Sequence, residues 1–167
     1  VFNVLGPLSH PGRVRRQLIG TVDAALADRM VRVLKANGSV RSLVATGHGG
    51  VDEITTTGPT RIAELKEGEI SEWELDPGDF GIREAEPLSL AGGDPQENAT
   101  IARAIFSGEE RGARRDIVVL NAAAGLVVAG IVDGIADGLE LAATAVDDGK
   151  AAQILEAIGG ASEFSTG

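Results

Sequence analysis

Two adjacent carboxylates, Asp52 and Glu53, are the residues whose chemistry is easiest to name. They follow a glycine-rich stretch, Gly47–Val51, which comes directly after an apolar segment, Ser42–Thr46. Hard cations such as Mg²⁺ bind carboxylate oxygens, keep several waters, and are commonly shared between one or two carboxylates and a substrate phosphate. The pair therefore suggests a magnesium site, although two acids on a solvated loop would have the same sequence.

The glycines before this pair have two interpretations. Gly47, Gly49 and Gly50 permit positive φ angles and a close approach of backbone to a ligand, so a diphosphate could approach the loop. No lysine accompanies them in the arrangement of a nucleoside triphosphate loop. A tight turn from strand to loop explains these glycines at least as well.

Few other residues suggest chemistry. The chain has no cysteine, which excludes disulfides and cysteine nucleophiles. His10 and His48 are each candidate general bases, but neither lies in a recognisable catalytic arrangement, so we assign no catalytic side chain.

Gly6 and Pro7, flanked by leucines, form a rigid apolar loop that could be one wall for a flat aromatic substrate or a packed structural turn.

Asn121 lies inside an apolar run. A buried amide needs hydrogen-bond partners. We expect it to bond to neighbouring backbone near the acidic loop and to have a structural role.

Hydrophobic spacing predicts the elements that hold these residues. Gln17–Thr21 and Ser42–Thr46 are typical of buried strands, and Val22–Asn37 has apolar residues at helical spacing. We expect Thr21 to cap this helix. A strand–helix–strand unit implies parallel strands with a right-handed crossover. Ligands gather at the carboxyl ends of such strands, which is where the loop 47–53 lies.

The rest of the chain predicts a hairpin and helices. Arg61–Leu65 and Glu69–Leu75 alternate and indicate an antiparallel hairpin. Asp94 and Glu97 are typical of a capping box, with a helix running to Ser107. Further helices are expected at about 113–131, 134–148 and 150–158, the last ended by Gly159 and Gly160. The predicted fold class is α/β, with a mostly parallel sheet and an antiparallel hairpin, flanked by helices.

Composition narrows the function classes. The 167 residues suit one domain, and the net charge of −10 argues against binding nucleic acid or anionic membranes. An anionic substrate would need a local cation. The apolar run 117–131 is interrupted by Asn121 and Gly125 and is too short to span a bilayer. Residues 1–8 do not form a signal peptide, so a cytoplasmic location is expected.

Several segments together resemble one family, the anthranilate phosphoribosyltransferases. Phe2–Leu8, with Pro11 beyond, is similar to the Phe-Asn-hydrophobic-Leu-Gly-Pro-Leu-Thr-Asn-Pro signature of the family, and Gly50–Glu53 is similar to its Gly-hydrophobic-Asp-Glu motif. Gly93–Ala99, Val119–Ala122 and the hairpin followed by Asp79–Gly81 match later segments in order. The resemblance covers nearly the whole chain.

The resemblance implies a reaction and a fold. In this family the anthranilate nitrogen attacks C1 of phosphoribosyl diphosphate, diphosphate leaves, and two magnesium ions neutralise it, as a step of tryptophan biosynthesis. Carried over by position, Asp52 and Glu53 hold one magnesium, while Gly6 and Pro7 contact anthranilate. The fold implied is the large α/β domain of nucleoside-phosphorylase type.

The resemblance also implies missing parts. Residues 1–167 correspond to the carboxy-terminal part of the catalytic domain. The amino-terminal helical domain and the Gly-Thr-Gly-Gly-Asp diphosphate loop are not in this chain, so we expect it to be inactive alone and the full-length protein to be a homodimer. The sequence departs from the family where Ser9-His10 replaces Thr-Asn and where His48-Gly49 replaces commonly acidic residues.

Three other interpretations remain open from the sequence. One is an enzyme similar to pyrimidine nucleoside phosphorylase, which shares the fold but needs phosphate-binding segments that are not visible here. Another is a non-catalytic nucleic-acid-binding relative, which needs a basic surface. The last is a structural domain without activity of its own.

Overall fold

The sheet of this protein contains one parallel and two antiparallel pairings. The computed structural model describes residues 6–9, 11–12 and 14–163, with side chains described up to residue 159. Within this part the strands lie in the order β1-β2-β3-β4, and they are β1 (Arg16–Gly20), β2 (Arg41–Thr46), β3 (Thr60–Lys66) and β4 (Glu69–Leu75). β1 and β2 are parallel, whereas β2–β3 and β3–β4 are antiparallel.

The predicted α/β class, parallel pair and hairpin are confirmed. The expectation of a mostly parallel sheet is not met among the described strands. The hairpin does not sit apart from the parallel strands, because its first strand pairs directly with β2, where Val44 lies opposite Ala63. The segment between β2 and β3 contains no helix, and parallel pairing usually needs a helical crossover, so the antiparallel direction is favoured.

The helix α1 (Ala24–Ala36) connects the parallel strands. Its cap is Asp23, whose side chain accepts a hydrogen bond from the Ala25 amide at 2.8 Å, so the prediction that Thr21 is the cap was wrong. The Thr21 hydroxyl instead accepts a bond from the Asp23 amide. The buried face of α1 is formed by Ala27, Met30, Val31 and Leu34.

The sheet is packed on both faces. Val44 of β2 lies in the core cluster with α1, while Leu43 and Ala45 lie in a second cluster with α3 (Ala113–Ala129). This alternation follows from the two-residue period of a strand. Because β2 is covered on both faces, it is a continuous apolar run rather than an alternating one.

The other long helices and two 3-10 helices follow β4 in the chain. They are α2 (Pro95–Phe106), α4 (Ile135–Asp147) and α5 (Lys150–Glu163), with 3-10 helices at Pro77–Phe80 and Pro87–Leu90. The predicted capping box of Asp94 and Glu97 is confirmed. The predicted end of the last helix at Gly159 and Gly160 was wrong, because helical backbone continues through both to Glu163. Glycine in a helix costs only about 1 kcal/mol relative to alanine.

No helix in the described part of the chain combines the length and the apolar character that a membrane span requires.

Candidate functional site

The acidic loop comprises residues 47–54, directly after β2. It opens with a tight turn in which the Gly47 amide donates to the Val51 carbonyl at 2.8 Å and the Gly50 amide donates to the Gly47 carbonyl at 3.0 Å. Gly49 and Gly50 have φ angles of 74° and 78°, a left-handed conformation that only glycine adopts without strain. The turn interpretation of these glycines is confirmed, and the turn places Asp52 and Glu53 at the carboxyl end of β2.

Neighbouring backbone approaches this loop closely from two sides. A Cβ on Gly20, the last residue of β1, would overlap the backbone carbonyl of Asp52. A Cβ on Gly47 would lie 2.6 Å from the carbonyl oxygen of Glu53. Both positions therefore require glycine for space rather than for backbone angle. Sequence reasoning missed Gly20, since nothing in the local pattern at the end of β1 shows that a segment 32 residues later packs on it.

No described basic side chain neutralises the charges of the two carboxylates. Both residues are solvent-exposed, and among the described residues no ion pair joins either of them to an arginine or lysine. Partial burial, and then the neighbouring charge of Asp52, raise the pKa of the Glu53 carboxyl above its ordinary value. A bound cation would relieve this repulsion, because a nearby opposite charge favours the ionised carboxylate.

The two carboxylates suit a magnesium ion that is also bound by waters and substrate phosphates better than a metal ion held by protein side chains alone. In the described part of the chain, no group of three or more His, Cys, Asp or Glu side chains is placed to hold a metal ion. Magnesium prefers six oxygen ligands and usually takes one or two carboxylates together with waters and substrate phosphates. Two adjacent, exposed carboxylates are such a donor set.

A cleft of about 490 Å³ lies beside Glu53. This volume is in the range of small-molecule sites. The first wall is formed by the acidic loop and the threonines that follow it, and the second wall by the 3-10 helix Pro87–Leu90. The lining residues are His48, Gly49, Val51, Glu53, Thr55, Thr57, Pro87, Leu90 and Ala91. Sequence reasoning did not predict the second wall.

Hydrogen bonds hold the second wall against the first. The Ala85 amide donates to the Thr56 carbonyl at 2.9 Å. At the other end of the wall, the Arg114 guanidinium of α3 donates to the Ala91 carbonyl at 2.8 Å. The cleft is therefore a feature of the packed fold and does not depend on a single flexible side chain.

Threonine hydroxyls order the segment that follows the acidic pair. The Thr55 amide donates to the Thr60 hydroxyl at 3.1 Å, and the Thr57 amide donates to the Thr55 hydroxyl at 3.1 Å. Thr55 and Thr57 also share a hydroxyl–hydroxyl bond of 2.9 Å. These local bonds make a polar side of the cleft next to Glu53, and the run of three threonines at 55–57 was the signal for it.

His48 lies on the cleft, exposed to solvent. A Cβ on Gly58 would come within 2.8 Å of the His48 ring, so the imidazole packs on this glycine. His10 lies outside the described residues.

Asn121 contacts the acidic loop as its sequence environment suggested. Its side-chain oxygen accepts a bond from the Ile54 amide at 3.1 Å, and its side-chain nitrogen donates to the Ile54 carbonyl at 2.7 Å. The prediction that this amide bonds to backbone near the loop is confirmed.

Gly6, Pro7 and Leu8 have helical backbone, so the prediction of a loop at Gly6 and Pro7 was wrong. Pro7 lines a different cleft, of about 440 Å³, with residues from the start of β1 and the end of α1, among them Gln17, Leu34 and Asn37. Asp52 lies instead against Gly20, at the other end of β1. The strand rises about 3.3 Å per residue, so Gln17, which lines the Pro7 cleft, and Gly20 lie about 10 Å apart along it. The structure does not bring these two predicted halves of a site together.

Comparison with known proteins identifies the class of protein. The model of the glycosyl transferase family, a/b domain, matches residues 1–152, and the chain therefore belongs to this family.

Relatives within that family carry one name. The anthranilate phosphoribosyltransferase of Rubrobacter xylanophilus is 47% identical over 156 residues, which is 93% of this chain and 46% of the relative. That of Roseiflexus castenholzii is 45% identical over 157 residues, again 93% and 46%. The chain thus spans slightly less than half the length of these relatives.

Solved structures agree with the sequence relatives. The anthranilate phosphoribosyltransferase of Thermus thermophilus superposes with a TM-score of 0.84 at 34% identity, over 93% of this chain and 45% of that one. The Saccharomyces cerevisiae enzyme, in complex with PRPP and Mg, superposes with a TM-score of 0.83 at 27% identity and the same coverage. The predicted fold type and the family resemblance are confirmed.

Proposed function

We propose that this chain is the carboxy-terminal part of an anthranilate phosphoribosyltransferase, which transfers phosphoribosyl from phosphoribosyl diphosphate to anthranilate in tryptophan biosynthesis. The observation that carries the proposal is the exposed acidic pair, Asp52 and Glu53, which lacks a cationic partner among the described residues and lies at the carboxyl ends of two parallel strands. Relatives of that name at 45–47% identity support it.

The chemistry of this transfer needs charge neutralisation more than it needs a nucleophile. The anthranilate nitrogen forms a bond to C1 of the ribose, the bond from C1 to the diphosphate oxygen breaks, and the nitrogen loses a proton. Magnesium, when bound, neutralises the departing diphosphate. Asp52 and Glu53 would hold that ion, and the loop that carries them would fix where it binds. Positioning and electrostatic stabilisation are then the main catalytic contributions.

The net charge of the chain supports a metal requirement. A chain of net charge −10 repels a free diphosphate, so the substrate needs either a cation or basic groups from the rest of the protein. Fixed negative charge at Asp52 and Glu53 therefore favours the magnesium complex of the substrate over the free anion.

Gly6 and Pro7 are proposed to contact anthranilate, by position in the Leu-Gly-Pro-Leu segment. In this structure their cleft is separate from that of Glu53. The proposal therefore requires that, in the complete enzyme, this segment lies beside the acidic pair. The complete enzyme is further proposed to be a cytoplasmic homodimer, which sedimentation equilibrium of the complete protein would test.

The test of the proposed function is a double substitution in the complete enzyme, Asp52→Asn with Glu53→Gln. We expect kcat to fall by on the order of 10²–10³-fold, as for loss of other electrostatic stabilisers, and the magnesium concentration for half-maximal rate to rise. The melting temperature should not fall, since both side chains are exposed and no described basic residue forms an ion pair with either of them.

A matched control removes the same two charges elsewhere. Glu67→Gln with Glu69→Gln changes two exposed acids of the β3–β4 hairpin, at the opposite end of the sheet, and should leave rate and magnesium dependence unchanged. If the Asp52/Glu53 double variant behaves like this control, the site assignment is wrong. If the wild-type enzyme instead cleaves pyrimidine nucleosides with phosphate and does not use anthranilate, the function is that of a nucleoside phosphorylase.

A further inference from the structure

Asn121 is a polar residue in the middle of an apolar helix. Its neighbours on α3 include Leu120 and Ala124, both completely buried. An amide in such surroundings costs free energy unless its donors and acceptor find partners. The hydrogen-bond partners of this amide therefore indicate its role.

Within the described part of the chain, the hydrogen bonds of this side chain go to backbone. Besides the two bonds with Ile54, the side-chain nitrogen donates to the Ile117 carbonyl, one helical turn earlier, at 2.9 Å. The Asn121 amide is thus anchored on its own helix and pairs with Ile54 as a neighbouring strand would, through one acceptor and one donor. Ile54 itself is completely buried, so its backbone groups depend on partners within the protein.

The bonded groups belong to the acidic loop. The Ile54 amide is part of the peptide unit that also contains the Glu53 carbonyl, and the Ile54 carbonyl begins the next unit. Asn121 therefore fixes two successive peptide planes directly after the acidic pair. From the other side, Gly20 leaves just enough space for the Asp52 backbone. The loop is held between β1 and α3.

We propose that Asn121 is a positioning residue that sets the direction of the Asp52 and Glu53 carboxylates for a divalent cation bound with diphosphate. This inference rests on the proposed function of the acidic pair. Magnesium demands nearly octahedral geometry, so a change in the direction of either carboxylate weakens binding even when both side chains are present.

The experiment measures cation binding in the complete protein, with Mn²⁺ as the probe and inorganic diphosphate present, by electron paramagnetic resonance of free Mn²⁺. Asn121→Ala should weaken Mn²⁺ binding by on the order of tenfold, as for loss of other groups that orient metal ligands. Amide hydrogen exchange of residues 53–55 should also accelerate relative to that of β2. Asn121→Ser is a milder variant, because its hydroxyl can still bond to Ile117. It should also weaken Mn²⁺ binding and accelerate exchange at residues 53–55.

The control is Val127→Ala, which removes a side chain that is 4% exposed on the same helix and in the same core cluster as Ile54. It should lower the melting temperature without changing Mn²⁺ affinity or the relative exchange at 53–55. If the Asn121 variants bind Mn²⁺ as Val127→Ala does, Asn121 is only a core residue and the inference is overturned.

The Asp52→Asn, Glu53→Gln variant separates this result from failure of the proposed function. If it binds Mn²⁺ as tightly as the wild type, the acidic pair is not the metal site and both proposals fail. If it loses Mn²⁺ while the Asn121 variants keep it, only the positioning role fails.

Discussion

At the level of single residues, partial burial disfavours the charged form of two acids. Glu53 has a raised pKa, and so does Asp116 in the first turn of α3, where burial raises the pKa, Arg115 lowers it and Glu110 raises it again. Ionisation of either carboxyl therefore works against folding. For Glu53, the unfavourable ionisation occurs at the proposed metal site. Asp116 lies outside the acidic loop, so there the pKa can be studied apart from metal binding.

We expect Asp116→Asn to stabilise the protein in a pH-dependent way. Because the folded state binds the Asp116 proton more tightly than the unfolded chain, protonation of Asp116 favours folding below the unfolded pKa. That contribution is lost as the pH rises through the folded pKa. Asparagine cannot ionise, so the variant should melt about 1–3 °C higher at pH 7. The gain should disappear toward about pH 3.5, below the ordinary aspartate value.

Thermal melts across this pH range are the measurement. The control is Asp137→Asn, an exposed acid in the first turn of α4, which should show no such pH-dependent gain. A gain for Asp116→Asn that is equal at both ends of the range would contradict the linkage argument.

A second residue-scale prediction concerns the proposed anthranilate wall. A Cβ on Gly6 meets nothing within 4 Å in this structure, so Gly6→Val should leave the melting temperature of the complete enzyme nearly unchanged. It should raise the KM for anthranilate more than the KM for phosphoribosyl diphosphate, because added bulk would fill the space for the aromatic ring. Equal increases of both KM values would show that the segment is only structural.

At the level of elements, two helical glycines differ in what surrounds them. Gly125 of α3 has open space where a Cβ would lie, while a Cβ on Gly138 of α4 would come within 2.8 Å of the Ala123 carbonyl oxygen. Gly138 is therefore the point at which α3 and α4 pack backbone to backbone. This contact supports the helix that carries Asn121.

Alanine at these two positions should have effects of opposite sign. Gly125→Ala should stabilise the protein by about 0.5–1 kcal/mol, because alanine loses less backbone entropy in a helix. Gly138→Ala should destabilise it by about 1–3 kcal/mol, since the helices must move apart. Urea denaturation with a common m-value is the measurement, and stabilisation by both would disprove the close crossing.

For the whole molecule, the net charge and the length of the chain limit how it could bind an anionic substrate. The chain has 15 basic and 25 acidic residues, and it spans slightly less than half of its relatives. A fold that binds an anionic substrate with this charge must rely on a cation or on groups from the rest of the protein.

The net charge also predicts what the protein does not bind. At about 0.1 M salt, fluorescence anisotropy of a labelled DNA duplex or single strand should not change on addition of this chain, because affinity for nucleic acid depends on basic side chains that release counterions. Binding with a steep decrease at higher salt would instead support the nucleic-acid-binding interpretation of the fold.

The sequence alone determined those features that depend on residues close together in the chain. The glycine turn at 47–50, the capping box at Asp94 and the β3–β4 hairpin were all predictable, because each is fixed by bonds among neighbouring residues. The family motifs were readable for the same reason, since each is a short local string. Errors at this level were small, such as the cap at Asp23 instead of Thr21.

Only the tertiary structure decided which distant residues meet. Asn121 is 67 positions from Ile54, and Gly20 and Pro87 approach the acidic loop from other segments. The same packing separated Pro7 from Glu53, which the sequence had placed in one pocket. No local pattern encodes these contacts, because they depend on how strands and helices pack across the sheet and on the length of β1 between its two ends.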